Sequence, residues 1–186
     1  MKINKVTFRN SEGDQLTARV ELPDDEQQRA YALFAHCFTC NKNLSAVRNI
    51  SRSLTSSGFG VMRFDFTGLG ESEGDFANTN FSSNIQDIRE AARFLEKGYQ
   101  APSLLIGHSL GGAAVLYAAS DIPSIRAVAT IGAPADPNHV TRLISSGLGE
   151  IHEKGYAEVS IGCRPFTIKK QFLDDLQAVN MPTIRT

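Results

Sequence analysis

The stretch Leu104-Leu105-Ile106-Gly107-His108-Ser109-Leu110-Gly111-Gly112 sets a serine in the pattern G-x-S-x-G, between a buried-strand pattern and a helix pattern. That context predicts a sharp strand-to-helix turn whose central residue is strained outward. Small residues must then stand two positions either side of the serine, where a side chain would strike neighbouring backbone, and Gly107 and Gly111 are those residues. A helix beginning just after Ser109 adds its N-terminal dipole and free N–H groups, which favour negative charge developing at the serine or on a bound carbonyl oxygen. Without the flanking strand and helix, the same residues would read as a Gly-flanked serine in an ordinary turn.

Outward from this turn, the apolar runs Ala30 to Ala35, Gly60 to Phe64, Ser103 to Gly107 and Ala127 to Gly132 suit strands buried on both faces. Between them lie helical patterns: Leu44, Val47, Ile50 and Leu54, then Phe81, Ile85, Ile88, Ala92 and Leu95, then Gly111 to Ala119. This alternation predicts a doubly wound α/β sheet with right-handed crossovers. Upstream, Val6 and Phe8, then Leu16, Ala18, Val20 and Leu22, alternate around the turn-rich Asn10 to Asp14 and predict an antiparallel hairpin. Downstream, Ala133-Pro134-Ala135-Asp136-Pro137 is a breaker-rich loop. A small cap is expected over about 137–168, with Val140, Leu143, Ile144, Leu148 and Ile151 lining one amphipathic helix or two short ones, and a hairpin from Tyr156 to Ile168 around Gly162-Cys163. Gln171 to Val179 reads as a short helix stopped by Asn180-Met181-Pro182.

The whole chain, 186 residues with 41% hydrophobic and 21% charged, fits one domain, 1–186. A net charge of -1 offers no basic face for nucleic acid. The N-terminus lacks an apolar signal region, and no segment approaches the roughly 18 apolar residues of a membrane span. Three cysteines do not make a disulfide scaffold, so a cytoplasmic, reducing location is expected.

Several motifs in one order carry a resemblance. They are His36-Cys37-Phe38-Thr39 after the third strand, Arg63-Phe64-Asp65-Phe66-Thr67-Gly68-Leu69-Gly70-Glu71-Ser72 after the fourth, the GHSLGG turn, and Gly132 to Asp136 after the sixth. With Gly162 to Phe166 and Gln171 to Leu176, they resemble the α/β-hydrolase superfamily, in its bacterial serine-aminopeptidase-like branch. Within it, the chain looks most like the hydrolase part of proteins that can be fused to an OsmC-like domain. The resemblance implies Ser109 as nucleophile, an oxyanion hole from the backbone N–H groups of Phe38 and Leu110, a small-molecule ester, amide or peptide-like substrate, and neither metal nor organic cofactor. It also implies that His36 orders its loop and that His108 is a packing or hydrogen-bonding residue.

Two further motifs carry other readings. Asp65 with Gly68, Gly70 and Ser72 invites a phosphate loop, but Glu71 stands where the cation should be and Glu73 where a dinucleotide fingerprint has glycine, which leaves a tight surface turn near the site mouth. Cys37-Phe38-Thr39-Cys40, following a strand, is the setting of a thiol redox pair, and a redox protein using Cys37 and Cys40 is one alternative. Zinc is disfavoured, because Cys163 has no histidine at ligand spacing.

A serine hydroxyl needs an imidazole to take its proton and a carboxylate to hold that imidazole, in the order Ser, acid, His. Only His139 and His152 follow Ser109, both in the cap-like segment, and Asp136 shares one loop with His139. The strands that should carry acid and base are missing. The likeness is therefore expected to stop near Leu176, in a truncated hydrolase of impaired activity. A non-catalytic binding module on the same scaffold is the other alternative, and a second polypeptide completing the sheet is a third. In the truncated case the Ala127 to Gly132 strand becomes an open edge, through which self-association is expected.

Overall fold

The computed structural model describes residues 1–24 and 28–179; parts of the expected Pro23 to Arg29 linker and the Asn180 to Pro182 helix stop lie outside them. Strands β1 (Lys2–Arg9), β2 (Gln15–Leu22), β3 (Ala30–Ala35), β4 (Phe59–Phe64), β5 (Leu104–His108) and β6 (Ala127–Ile131) form one sheet in the order β1-β2-β4-β3-β5-β6. The hairpin β1–β2 pairs antiparallel and joins β4 antiparallel, while β4, β3, β5 and β6 run parallel. This is the α/β-hydrolase type of mixed, mostly parallel sheet that the alternation predicts, with the hairpin at one edge.

Helices cover both faces. Helix α1 (Ser45–Ser56) buries Val47, Ser51 and Thr55, and a cluster of Ala32, Phe34, Val47, Val61 and Ile106 joins it to the sheet. Helices α2 (Phe81–Gly98) and α3 (Leu110–Ala119) cover the other face over the larger core, which includes Leu33, Met62, Phe64, Leu105, Ile88 and Val115. Asn80 and Ser83 form a capping box that starts α2. Beyond β6 come a 3-10 segment, Pro137–Gly147, helix α4 (Leu148–Lys154), the hairpin β7 (Tyr156–Ile161) with β8 (Arg164–Lys169), and helix α5 (Lys170–Ala178). The hairpin turns at Gly162 and Cys163, both at positive φ, the conformation a two-residue hairpin loop demands.

Strand β6 departs from the two-faced burial of its neighbours. It pairs only with β5 among the described residues, and Ala127, Ala129, Thr130 and Ile131 are exposed. The segment after β4 also differs from the expected surface turn. Asp65 is fully buried, and Gly70, at φ 59, lets the backbone close over its carboxylate, where a Cβ would lie 2.2 Å from Oδ2.

Asp87 on α2 is buried and accepts hydrogen bonds at Oδ2 from the Thr67 N–H (2.9 Å) and hydroxyl (2.8 Å). Burial raises its pKa to about 6, against the lowering effect of those hydrogen bonds. A raised folded-state pKa stabilises the fold below the unfolded value, and that contribution disappears as pH rises through about 6. Urea unfolding should therefore show Asp87→Asn gaining up to about 3 kcal/mol on the native protein between pH 4 and pH 7. Parallel pH profiles would contradict this assignment.

Candidate active site

Ser109 occupies a strand-to-helix turn at the end of β5, with φ 54 and ψ -125. A non-glycine residue at positive φ costs of order 1–3 kcal/mol and persists only where its surroundings fix it. Here they do. The Ser109 N–H donates to the Ile131 carbonyl of β6 (2.9 Å), and the Ser109 carbonyl accepts from Gly112 (2.8 Å). A Cβ on Gly107 would lie 2.4 Å from the Gly111 carbonyl oxygen, and one on Gly111 would lie 2.2 Å from the His36 carbonyl oxygen. The second approach presses the first turn of α3 against the end of β3, and so sets the loop after β3 beside Ser109.

That loop brings Phe38 and Leu110 into one narrow crevice with His36 and Gly111. Neither the Phe38 nor the Leu110 N–H donates a hydrogen bond among the described residues. The Phe38 ring is buried, stacked on Phe172 of α5 at 5.3 Å and tilted against Phe76 at 5.6 Å. Ser109 itself is half-buried and opens on a cleft of about 440 Å³, where Leu110, Pro134, Val140 and Leu143 give an apolar lining beside His139 and Arg142. A larger hollow of about 540 Å³ beside Asn10 and Asp87 contains none of these groups.

The histidines divide by environment. His36 is buried and its pKa is lowered to about 4, chiefly by desolvation, so the ring is neutral at ordinary pH. Its Nδ1 lies 2.8 Å from the Cys37 carbonyl and its Nε2 3.4 Å from the Phe66 N–H; a proton on Nδ1 satisfies both. This is a loop-ordering role. The His108 Nδ1 is buried and has no partner among the described residues. His139 lines the Ser109 cleft but is exposed, and His152 lies on the exposed side of α4. Asp136 directs its carboxylate to the Asn138 N–H (2.9 Å), capping the 3-10 segment. Among the described residues no imidazole hydrogen-bonds to the Ser109 hydroxyl, so Asp136, His139 and His152 are not assembled with Ser109 into a triad.

Beneath the loop lies a network that the sequence does not announce. Lys42, fully buried, pairs with Asp65 and with Glu71 (2.6 Å), and the Asp65 carboxylate also accepts from the Lys42 N–H (2.6 Å) and the Glu71 N–H (2.9 Å). Arg63 donates to Glu21 (2.8 Å) and to the Lys42 carbonyl (2.5 Å). Lys42 and Lys5 hold the Glu71 carboxyl well below the usual range. No spacing in the sequence pairs residues 42 and 65. They meet because β3 and β4 are adjacent parallel strands, so the segments that follow them emerge side by side.

A sheet of this order, wound on both faces and carrying its serine in a strained turn after β5, defines the α/β-hydrolase class. A family model described as serine aminopeptidase, S33, matches residues 26–181, and the chain belongs to that family. The match continues past Leu176, where the resemblance was expected to stop. The esterase domain of a Rhodothermus marinus protein is 53% identical, with a TM-score of 0.72, over 97% of this chain and 70% of that one. Mouse alpha/beta hydrolase domain-containing protein 10 superposes with a TM-score of 0.73 at 24% identity, over 94% of this chain and 70% of that one. The rat palmitoyl-protein thioesterase ABHD10, mitochondrial, is 31% identical over 54% of this chain. The chain spans 32% of that rat relative and 39% of its mouse counterpart. No described helix is long and apolar enough to cross a membrane.

Proposed function

We propose that Ser109 is the nucleophile of acyl transfer to water, acting on a small ester, thioester, amide or peptide-like substrate. The observation that carries this reading is the backbone of Ser109 itself, held at φ 54 where α3 begins and presented to an apolar cleft. The hydroxyl adds to the substrate carbonyl and gives up its proton to a base. The resulting oxyanion accepts from the free N–H groups of Phe38 and Leu110, whose direction the fold fixes before charge develops. Collapse expels the leaving group, and water repeats the sequence on the acyl-enzyme. No metal or organic cofactor enters this scheme. The lining by Leu110, Val140 and Leu143 suits an apolar acyl group, and the curated relatives are named palmitoyl-protein thioesterases. The cytoplasmic location expected from the sequence rested on reduced cysteines, whereas Cys37 and Cys40 form a disulfide and those relatives are named as mitochondrial.

Because no described imidazole serves Ser109, residues 1–186 alone should retain the ~10³–10⁴-fold over water that an oxyanion hole and binding supply without a triad. The same observation favours a second reading, a binding module that keeps the scaffold without turnover. Imidazole added as an external base separates the two in a p-nitrophenyl acetate assay. The native chain should show an imidazole-dependent increment that Ser109→Ala lacks. Equal increments in the two proteins would favour the binding module.

A further inference from the structure

Acyl transfer leaves the Cys37-Phe38-Thr39-Cys40 segment unexplained. The two cysteines are joined in a disulfide with Cα atoms 5.4 Å apart, enclosing Phe38, which lines the crevice shared with Leu110 and whose N–H donates no hydrogen bond among the described residues. The segment is a turn closed by the Cys40 N–H on the Cys37 carbonyl (3.1 Å), and Thr39 within it stands at φ 59. Turns of this kind reserve that position for glycine or asparagine, and a β-branched residue there is a strained choice that its surroundings must impose. Non-covalent restraints hold the loop at its two ends and at the Phe38 ring. His36 bonds the Cys37 carbonyl on one side, Lys42 is pinned to Asp65 on the other, and the Phe38 ring is clamped by Phe76 and Phe172. At the strained residue, which is buried, the hydrogen bonds among the described residues are the turn bond, one from Thr39 Oγ1 to the Phe38 carbonyl (2.7 Å), and a long one from Arg164 to the Thr39 carbonyl (3.4 Å). Both cysteines are half-buried rather than enclosed, so a small thiol can reach the bridge.

We propose that Cys37 and Cys40 form a reversible dithiol–disulfide site that takes cellular dithiols as its reductant and sets the position of the Phe38 N–H. This rests on the reading of Ser109 as nucleophile and Phe38 as an oxyanion donor. A thiolate of the dithiol attacks one sulfur of the bridge, the Cys37–Cys40 bond breaks, and a mixed disulfide forms. The second thiol of the reductant displaces that intermediate and leaves as its own disulfide. Two electrons and two protons have then passed to Cys37 and Cys40. With the bridge open, Thr39 relaxes from the left-handed region and the Phe38 amide loses its fixed direction. The disulfide form of the same reductant runs the exchange backwards, taking two electrons and two protons from Cys37 and Cys40 as it returns to a dithiol, so the oxidised enzyme is the competent one.

The test compares the chain before and after dithiothreitol, without denaturant. Alkylation with mass mapping should find one free thiol, Cys163, before treatment and all three after it. Hydrogen exchange in the peptide containing residues 37–40 should speed by at least about tenfold on reduction, with β3 and β5 unchanged. Imidazole-supported, Ser109-dependent ester turnover should fall at least about tenfold, short of the 10²–10³ that losing a donor outright costs. Oxidised dithiothreitol should restore it, and Cys37→Ser with Cys40→Ser should sit at the low level in either condition. A bridge inert to dithiothreitol in the folded chain overturns the proposal, as does a reduced chain with unchanged exchange and unchanged turnover. Absence of Ser109-dependent turnover in the oxidised chain would instead count against the hydrolase reading, and the exchange rates then decide the redox site by themselves.

Discussion

Supplying the base that Ser109 lacks should raise p-nitrophenyl acetate hydrolysis by about 10⁴-fold or more over residues 1–186. That is the order lost when a hydrolase keeps its oxyanion hole but loses the imidazole or the carboxylate that positions it. An added strand beside β6 that carries an acid and a histidine would supply that base. The same addition should change the association state. β6 leaves its outer N–H and C=O groups and Ile131, 40% exposed, open to solvent among the described residues, and such an edge pairs with whatever strand it meets. Sedimentation should therefore find self-association in residues 1–186 and a monomer once such a strand covers β6. A clean monomer of residues 1–186 with turnover far above Ser109→Ala would contradict both expectations and direct attention to His139, which lines the cleft.

Replacing Lys42 by methionine should destabilise the fold by about 3–5 kcal/mol in urea unfolding. A buried ion pair adds little net stability over an apolar replacement of both partners, but removing one partner leaves the other charge buried alone. Asp65 would keep the backbone N–H donors of residues 42 and 71 and lose its ammonium partner. Adding Asp65→Asn to Lys42→Met should recover a large part of the loss, because the stranded charge goes with it. If the two single changes cost little, or their costs simply add, Lys42 and Asp65 do not act as a pair.

The parts of this molecule governed by local rules were legible in the sequence. Gly107 and Gly111 flank Ser109 because a Cβ at either would strike backbone, and that constraint is written into five residues of chain. Apolar runs located β3 to β6, and Asn10 to Asp14 located the hairpin, for the same reason. What depended on distant segments meeting was not legible. Asp65 was expected in a surface turn and is instead buried against Lys42, a partner 23 residues away that only the order β4-β3 brings near. The stacking of Phe38 on Phe172 joins the loop after β3 to α5, near the far end of the chain, and no periodicity records it. Cys37 and Cys40 were visible as a pair, but their bearing on the Phe38 amide depends on where the loop meets α3.

A fluorophosphonate probe reports directly on whether the turn after β5 presents Ser109 as a nucleophile. Incubation followed by peptide mass mapping should place the phosphonyl adduct on Ser109, at a rate that rises with added imidazole, and Ser109→Ala should remain unmodified. An unmodified native chain, or equal modification of the native and Ser109→Ala chains, would contradict that role and leave a scaffold that binds without reacting.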